Sequence, residues 1–187
     1  MGLAFFVFNE PWLPGLMVAG WAVWILGTEA APREFLLYPG VDHGRGVIAV
    51  FLIALLVNGF GEETGWRGFL QHHLAGTLGN VRATLVVAGL WLLWHLPIFF
   101  IHAGFREMVG PALVGWVLGL TLASFVLGWM YVVFGRSILM VALWHTIYNY
   151  TAATPPTTGT IAAVVTTFVM LGGLAILGRW TWQARRS

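Results

Sequence analysis

Polar side chains that could hydrolyse an amide interrupt a chain that is otherwise strongly apolar. A carboxylate and an imidazole can hold and deprotonate a water molecule. A second imidazole and a side-chain amide can donate hydrogen bonds to the oxyanion of a tetrahedral intermediate. Such a set needs neither a serine nor a cysteine nucleophile, and the sequence contains no cysteine. The six side chains that could form and support it come from three separate apolar segments: Glu62, Glu63, Arg67, His95, His145 and Asn149.

The acidic motif divides its two carboxylates between two predicted roles. Glu63 and Arg67 are four residues apart with the acid first, so a helix places them on one face as an ion pair that supports the site. Glu62 points about 100° away from Glu63 and is predicted to be the general base. The alternative for this motif is the end of a helix at the membrane surface, with its charges solvated.

The histidine motifs allow the same two kinds of interpretation. His145 and Asn149 are four residues apart and share a helix face, where they would stabilise the oxyanion or form a structural hydrogen-bonded pair. His95 stands alone in an uncharged stretch and would either complete the catalytic set or hydrogen-bond a neighbour within the bundle. Pro97 is expected to kink the helix beside His95 and open space there.

A metal site is the alternative use of these groups. Glu62, His95 and His145 form a plausible set of three zinc ligands with an open fourth position. The sequence has no His-Glu-x-x-His motif. The residues therefore leave open whether a metal, zinc above all, or a metal-free glutamate activates the water.

The composition indicates that these polar groups are surrounded by a lipid bilayer rather than by water. The 187 residues are 59% hydrophobic and 9% charged, whereas soluble domains carry about 25% charged residues. A soluble chain of this length could not bury so much apolar surface, so the chain is predicted to be an integral membrane protein. The net charge of +2 includes no basic run, which excludes a nucleic-acid interface.

The apolar segments predict an all-α polytopic bundle with about six transmembrane helices. The second segment is too short to span a bilayer alone, so we predict one helix from about residue 47 to 74 that carries its charges at depth; the alternative is a helix that ends at Phe60. The chain is divided into an N-terminal helix and charged loop (1–46), a catalytic core (47–153) and a C-terminal helix with a basic tail (154–187), within one domain. The six predicted segments are residues 12–28, 47–60, 83–101, 111–134, 137–153 and 160–178.

The order and separation of the motifs resemble the CPBP intramembrane proteases. This family is also called the Abi or CAAX-protease-like family and includes the type II CAAX prenyl endopeptidases. The resemblance covers roughly residues 47–149. Trp91 departs from the family pattern, in which phenylalanine usually precedes the histidine by four residues. The motifs that carry the resemblance are Glu62-Glu63-Thr-Gly-Trp-Arg67-Gly-Phe-Leu-Gln71, Trp91-x3-His95-Leu-Pro97, and Ser137-Ile138-Leu139 leading into His145-x3-Asn149.

The resemblance implies an intramembrane endopeptidase that acts on lipidated or membrane-associated proteins or peptides, with its site recessed in the bilayer. Glu62 would activate water with His95, His145 and Asn149 would stabilise the oxyanion, and family naming favours a metalloprotease. The expected location is the bacterial cytoplasmic membrane. The competing hypotheses are a non-enzymatic bacteriocin self-immunity or scaffold protein on the same fold, and a proton-coupled carrier.

Overall fold

The computed structural model describes residues 46–153 and 160–186, which are helical almost throughout. The predicted first span and most of the charged loop after it lie outside the described residues. Two segments with π-helical hydrogen bonding, π1 and π2, interrupt the series of α-helices. In chain order the elements are α1 Val47–Ala54, π1 Leu55–Glu62, π2 Thr64–Gln71, α2 His72–Trp94, α3 Ile98–Ile101, α4 Ala103–Arg106, α5 Pro111–Val133, α6 Ile138–Ala153 and α7 Thr160–Ala184.

The acidic motif lies inside one continuous helical run, as predicted, because the helix does not end at Phe60. The run widens through π1 and π2. Its buried residues recur every fourth position, at Leu55, Gly59, Glu63, Arg67 and Gln71. An α-helix has 3.6 residues per turn, so a strict spacing of four would drift around it by about 40° at each step. The wider i→i+5 geometry reduces this drift.

Gly79 ends this run and starts the return of the chain. Its φ of 76° and ψ of 163° lie in a region that glycine alone occupies readily, inside what is otherwise a helix. Side-chain contacts across the break pair residue 71 with 84, 67 with 91 and 66 with 94. In each pair one residue number rises as the other falls, so the two segments run in opposite directions. The helix after Gly79 therefore lies antiparallel beside π2 and forms a helical hairpin with it.

The predicted break beside His95 is confirmed. Helix α2 ends at Trp94, and residues 95–97 form a turn before the short helix α3. Pro97 has no N–H to continue the α-helical ladder. The backbone bonds here connect residues three apart, as from the N–H of His95 to the carbonyl of Leu92. His95 therefore lies at a helix terminus.

Three helical stretches of the described residues are long and apolar enough to cross a membrane: residues 48–101, 111–133 and 162–184. The first stretch includes the second and third predicted spans, which are separated by the break at Gly79. Helix α6 forms where the fifth span was predicted, but its 16 residues are shorter than the about 20 that a span requires. The predicted count of about six is therefore not confirmed.

The chain divides into two compact units. In the first, the described residues are 46–63, 130–153 and 160–165, and α1 packs on α6 through Val50, Ala54 and Tyr150, with Phe51 stacked against the Tyr150 ring. The second unit, residues 64–129 and 166–186, contains the hairpin at Gly79 and most of α5. Phe125 of α5 packs there against Trp180 of α7, with their ring centroids 6.0 Å apart.

Candidate functional site

A carboxylate and an imidazole from two distant motifs meet in the interior of the first unit. Glu63 lies where π1 meets π2, and His145 lies in the middle of α6. The Nδ1 atom of His145 is 2.8 Å from Oε1 of Glu63. Glu63 is wholly buried and His145 is 4% exposed, so this is a hydrogen bond between titratable groups shielded from solvent.

The protonation state of Glu63 decides which atom carries the proton of this bond. When Glu63 is ionised, its carboxylate can only accept, and Nδ1 of His145 carries the hydrogen. Glu63 thereby fixes both the tautomer and the orientation of the ring, as carboxylates do for functional histidines. Nε2 is then the nitrogen that changes protonation: it accepts a hydrogen bond in the neutral ring and donates one in the imidazolium.

This contact gives Glu63 a partner that the sequence did not indicate. The spacing of four assigned Glu63 to Arg67, whereas the structure shows its hydrogen bond to His145, 82 residues along the chain. The support role predicted for Glu63 becomes more specific, because Glu63 orients one of the predicted catalytic residues. The ion pair of Glu63 with Arg67 stays a prediction.

The other predicted members of the first unit lie beside this pair along the chain. Glu62 is half-buried and precedes Glu63 at the last position of π1. Asn149 is half-buried and lies one turn after His145 in α6, as its spacing predicts. Their assigned roles, general base for Glu62 and oxyanion donor for Asn149, stay predictions.

His95 belongs to the second unit, where it is half-buried and held by aromatic residues. Its Nδ1 is 2.6 Å from the carbonyl oxygen of Trp91, one turn earlier. The rings of Trp91 and Trp116 meet the imidazole edge to face at centroid distances of 5.7 and 5.5 Å. The exposed His73 makes the same contact with the carbonyl of Phe69, so the backbone bond alone does not indicate function.

Arg67 is wholly buried within the second unit. Its Nη2 donates to the hydroxyl of Ser124 at 3.1 Å, and its guanidinium carbon lies 4.6 Å from the centroid of the Trp91 ring. The negative face of an indole ring attracts a cation electrostatically, and the attraction is stronger where water is excluded. These contacts join π2, α2 and α5, which supports a structural role for Arg67.

Several buried polar residues were missed by the sequence analysis. Gln71 donates through Nε2 to the hydroxyl of Thr84 at 3.2 Å and packs against Gly128, which has no side chain to displace it. Thr146 is wholly buried next to His145. Gln71 continues the four-residue spacing of Glu63 and Arg67, and that spacing was the available signal. Thr84 and Thr146 are common in apolar helices and give no such signal.

The described residues contain no group of three or more histidine, aspartate or glutamate side chains placed to hold a metal ion. The zinc set of Glu62, His95 and His145 stays a prediction. One feature agrees with metal ligation: His145 and His95 both anchor Nδ1 on an oxygen, as metal-binding histidines usually do through the nitrogen that is not a ligand.

Comparison with known proteins agrees with the resemblance seen in the motifs. CAAX prenyl protease 2 of Methanococcus maripaludis is 24% identical over 120 residues, which are 62% of this chain and 44% of the relative. The chain thus spans less than half the length of that curated relative. No solved structure matches the chain. A family model, described as type II CAAX prenyl endopeptidase Rce1-like, matches residues 44–151, a range that includes all three motifs. Since that match covers more than half of the chain, the chain belongs to the type II CAAX prenyl endopeptidase Rce1-like family.

Proposed function

We propose that the chain is an intramembrane endopeptidase that hydrolyses a peptide bond of a lipidated or membrane-associated protein. The observation that carries the proposal is the buried hydrogen bond between Glu63 and His145. An ionisable residue at the centre of a membrane helix costs about 2.5–3.5 kcal/mol. Two such residues that meet at 2.8 Å in an apolar protein form a buried acid–histidine pair, the arrangement that orients a catalytic imidazole.

Each residue has a role in the proposed reaction. Glu62 and His95 hold and deprotonate the attacking water, and the proton they take passes to the amine nitrogen that leaves as the scissile C–N bond breaks. The oxyanion that forms on the scissile carbonyl receives hydrogen bonds from Nε2–H of His145 and from the side-chain amide of Asn149. Glu63 orients the His145 ring, and its negative charge stabilises the imidazolium, the form in which Nε2 carries a hydrogen while Nδ1 donates to Glu63. Arg67 holds the helices that carry the motif.

The proposed substrate follows from the solvent and from the relatives. A site recessed in apolar helices is reached through the lipid, by a membrane-spanning segment or by a chain that carries a lipid. The matched relative is named a CAAX prenyl protease, so a prenylated C-terminal peptide is the first substrate to test. Prenylation attaches the lipid to the cysteine of a C-a-a-X sequence.

The experiment is a cleavage assay on the full chain reconstituted in liposomes. The substrates are a farnesylated C-a-a-X peptide, the same peptide without the lipid, and a library of peptides from membrane proteins. Wild type is expected to release a defined product. Removing one oxyanion donor typically costs about 10²–10³ in rate, so His145→Ala should lose at least that factor. Glu62→Ala and His95→Ala should also lose most cleavage.

Matched controls keep the assay specific. His73→Ala removes an exposed histidine that makes the same backbone contact as His95, and Glu107→Gln removes an exposed carboxylate. Both should cleave like wild type. Equal product from wild type and Glu62→Ala would refute the role of this site, and a wild type that releases no product would favour the non-enzymatic alternative. Chelation followed by zinc addition separates the two water-activating mechanisms, because only a metal-dependent enzyme would lose and regain activity.

A further inference from the structure

Helices π1 and α6 are in close contact at Gly59. A Cβ atom added to Gly59 would lie 2.6 Å from the hydroxyl oxygen of Thr146 and 2.8 Å from the carbonyl oxygen of Ala142. Real Cβ atoms essentially never come within 3.0 Å of another heavy atom. Ala142 presents backbone rather than a flexible side chain, so α6 could not yield by a rotamer change. The absence of a side chain at Gly59 is thus a condition of this contact.

The contact is connected to the buried acid–histidine pair on both sides. On π1, the backbone N–H of Glu63 is directed at the carbonyl oxygen of Gly59, so the two residues move together. On α6, Thr146 directly follows His145 in the chain. Gly59 and Glu63 also belong to the same buried stripe of every fourth residue. Whatever separates Gly59 from α6 therefore separates Glu63 from His145.

We propose that Gly59 is a positioning residue that sets the distance between Glu63 and His145. This inference rests on the proposed function only in its consequence for catalysis. With alanine at position 59, the distance to the Ala142 carbonyl would have to grow from 2.8 Å to the 3.4 Å at which ordinary van der Waals contact begins. A similar displacement of Glu63 would lengthen its 2.8 Å bond to His145 beyond normal hydrogen-bond range, about 3.2 Å.

The neighbouring glycines supply matched controls within the same helical run. A Cβ at Gly61 would meet its nearest atom, the carbonyl oxygen of Leu56, at an ordinary 3.6 Å. A Cβ at Gly65 would have no described atom within 4 Å. Gly61→Ala and Gly65→Ala therefore make the same chemical change as Gly59→Ala without the clash.

The first measurement needs no substrate. The 15N spectrum of histidine-labelled full chain in detergent micelles reports which ring nitrogen of His145 carries the proton, and His145→Gln assigns the signal. We expect Gly59→Ala to shift or split the His145 signals, because the bond that fixes the tautomer is lengthened. Gly61→Ala and Gly65→Ala should leave them unchanged. Unchanged His145 signals in folded Gly59→Ala would overturn the proposal.

The second measurement separates positioning from a general loss of structure. Gly59→Ala should lower kcat at least tenfold and change KM less than twofold, because the substrate still binds a site whose reacting groups are misplaced. The double variant Gly59→Ala/Thr146→Ala should recover part of kcat, since it removes one of the two clashing atoms. Thr146→Ala alone should stay near wild type, because its buried hydroxyl has no hydrogen-bond partner among the described residues. Failure of the double variant to recover any kcat, in a folded protein, would contradict the role of this contact.

A gentler variant covers the case in which Gly59→Ala does not fold. Thr146→Val replaces the hydroxyl that faces Gly59 by a larger methyl group, so it presses on π1 from the opposite side. It should shift the His145 signals in the same direction by a smaller amount, and Thr146→Ser should not. If wild type cleaves no substrate but Gly59→Ala shifts His145, the proposed function fails and the positioning role stands. If wild type cleaves substrate but neither Gly59→Ala nor Thr146→Val changes the His145 signals or kcat, the proposed function stands and the positioning role of Gly59 fails.

Discussion

Two buried polar clusters lie one helical turn apart along the chain and differ in the kind of group they contain. The first, the proposed catalytic pair, is Glu63 with His145, and both side chains are titratable. The second, the structural cluster, surrounds Arg67, whose charge is permanent, and includes the Ser124 hydroxyl, the Trp91 ring and the hydrogen-bonded side chains of Gln71 and Thr84. Titratable groups suit the proton transfers of the proposed hydrolysis, and the contacts of Arg67 with two other helices suit a structural role. We therefore expect substitutions in the first cluster to act mainly on activity and those in the second mainly on stability.

The comparison also shows how one stripe of residues serves both purposes. Glu63, Arg67 and Gln71 follow one another at a spacing of four along the chain, and all three are buried. The first contacts α6, and the next two contact α2 and α5. Substitutions along the stripe should therefore separate into those that remove activity and those that remove stability.

The largest effect on stability is expected for Arg67→Ala. It leaves the buried Ser124 hydroxyl without this donor and opens a cavity beneath the Trp91 ring. Large-to-small changes in a core cost about 2–5 kcal/mol, so the free energy of unfolding in detergent should fall by about 3 kcal/mol. Arg82→Ala, at an exposed position, should change it by less than about 0.5 kcal/mol. An unaltered unfolding curve for Arg67→Ala would end the structural interpretation of this cluster.

For Glu63→Gln we expect a loss of activity with little loss of stability, because the substitution keeps the size of the side chain and changes its chemistry. The amide can still accept from Nδ1 of His145, but it can also present its NH2 group and favour the wrong tautomer. Replacing a carboxylate that orients a histidine typically costs about 10–100-fold in activity. We expect that loss in kcat together with a melting temperature near that of wild type. A large drop in melting temperature with kcat retained would reverse the assignment of the two clusters.

A third effect of intermediate size tests the hairpin that carries the structural cluster. Gly79→Ala forces a side chain into a backbone conformation that costs about 1–3 kcal/mol for residues other than glycine. Gly76→Ala, three residues earlier at an exposed position within the helix, should be neutral or slightly stabilising. The comparison of the two unfolding free energies isolates the turn, and equal effects would show that the turn does not require glycine.

The smallest effect on stability is expected when the hydrogen bond between Gln71 and Thr84 is removed. A double-mutant cycle with Gln71→Leu and Thr84→Val should give a coupling energy of about 1 kcal/mol, the usual net value of one buried hydrogen bond. Cleavage by the folded variants should stay within a fewfold of wild type. A coupling energy indistinguishable from zero would remove Gln71 from the structural cluster.

The sequence alone predicted the membrane class, the helical fold of residues 47–153, the continuation of the helix through the acidic motif and the break beside Pro97. It also predicted the family, because the order and spacing of the three motifs are local features of the chain. These results follow from short-range physics: hydropathy selects the solvent, and backbone sterics place the breaks.

The tertiary structure decided which polar groups meet. The spacing of four offered Arg67 as the neighbour of Glu63, and the fold shows Glu63 bound to His145, from a motif 82 residues away. It also decided that Gly59 is pressed against α6 while Gly61 and Gly65 are not. Such contacts depend on how helices that are distant in sequence pack together. An apolar pattern predicts that each helix forms, but it does not determine which face of that helix contacts which neighbour.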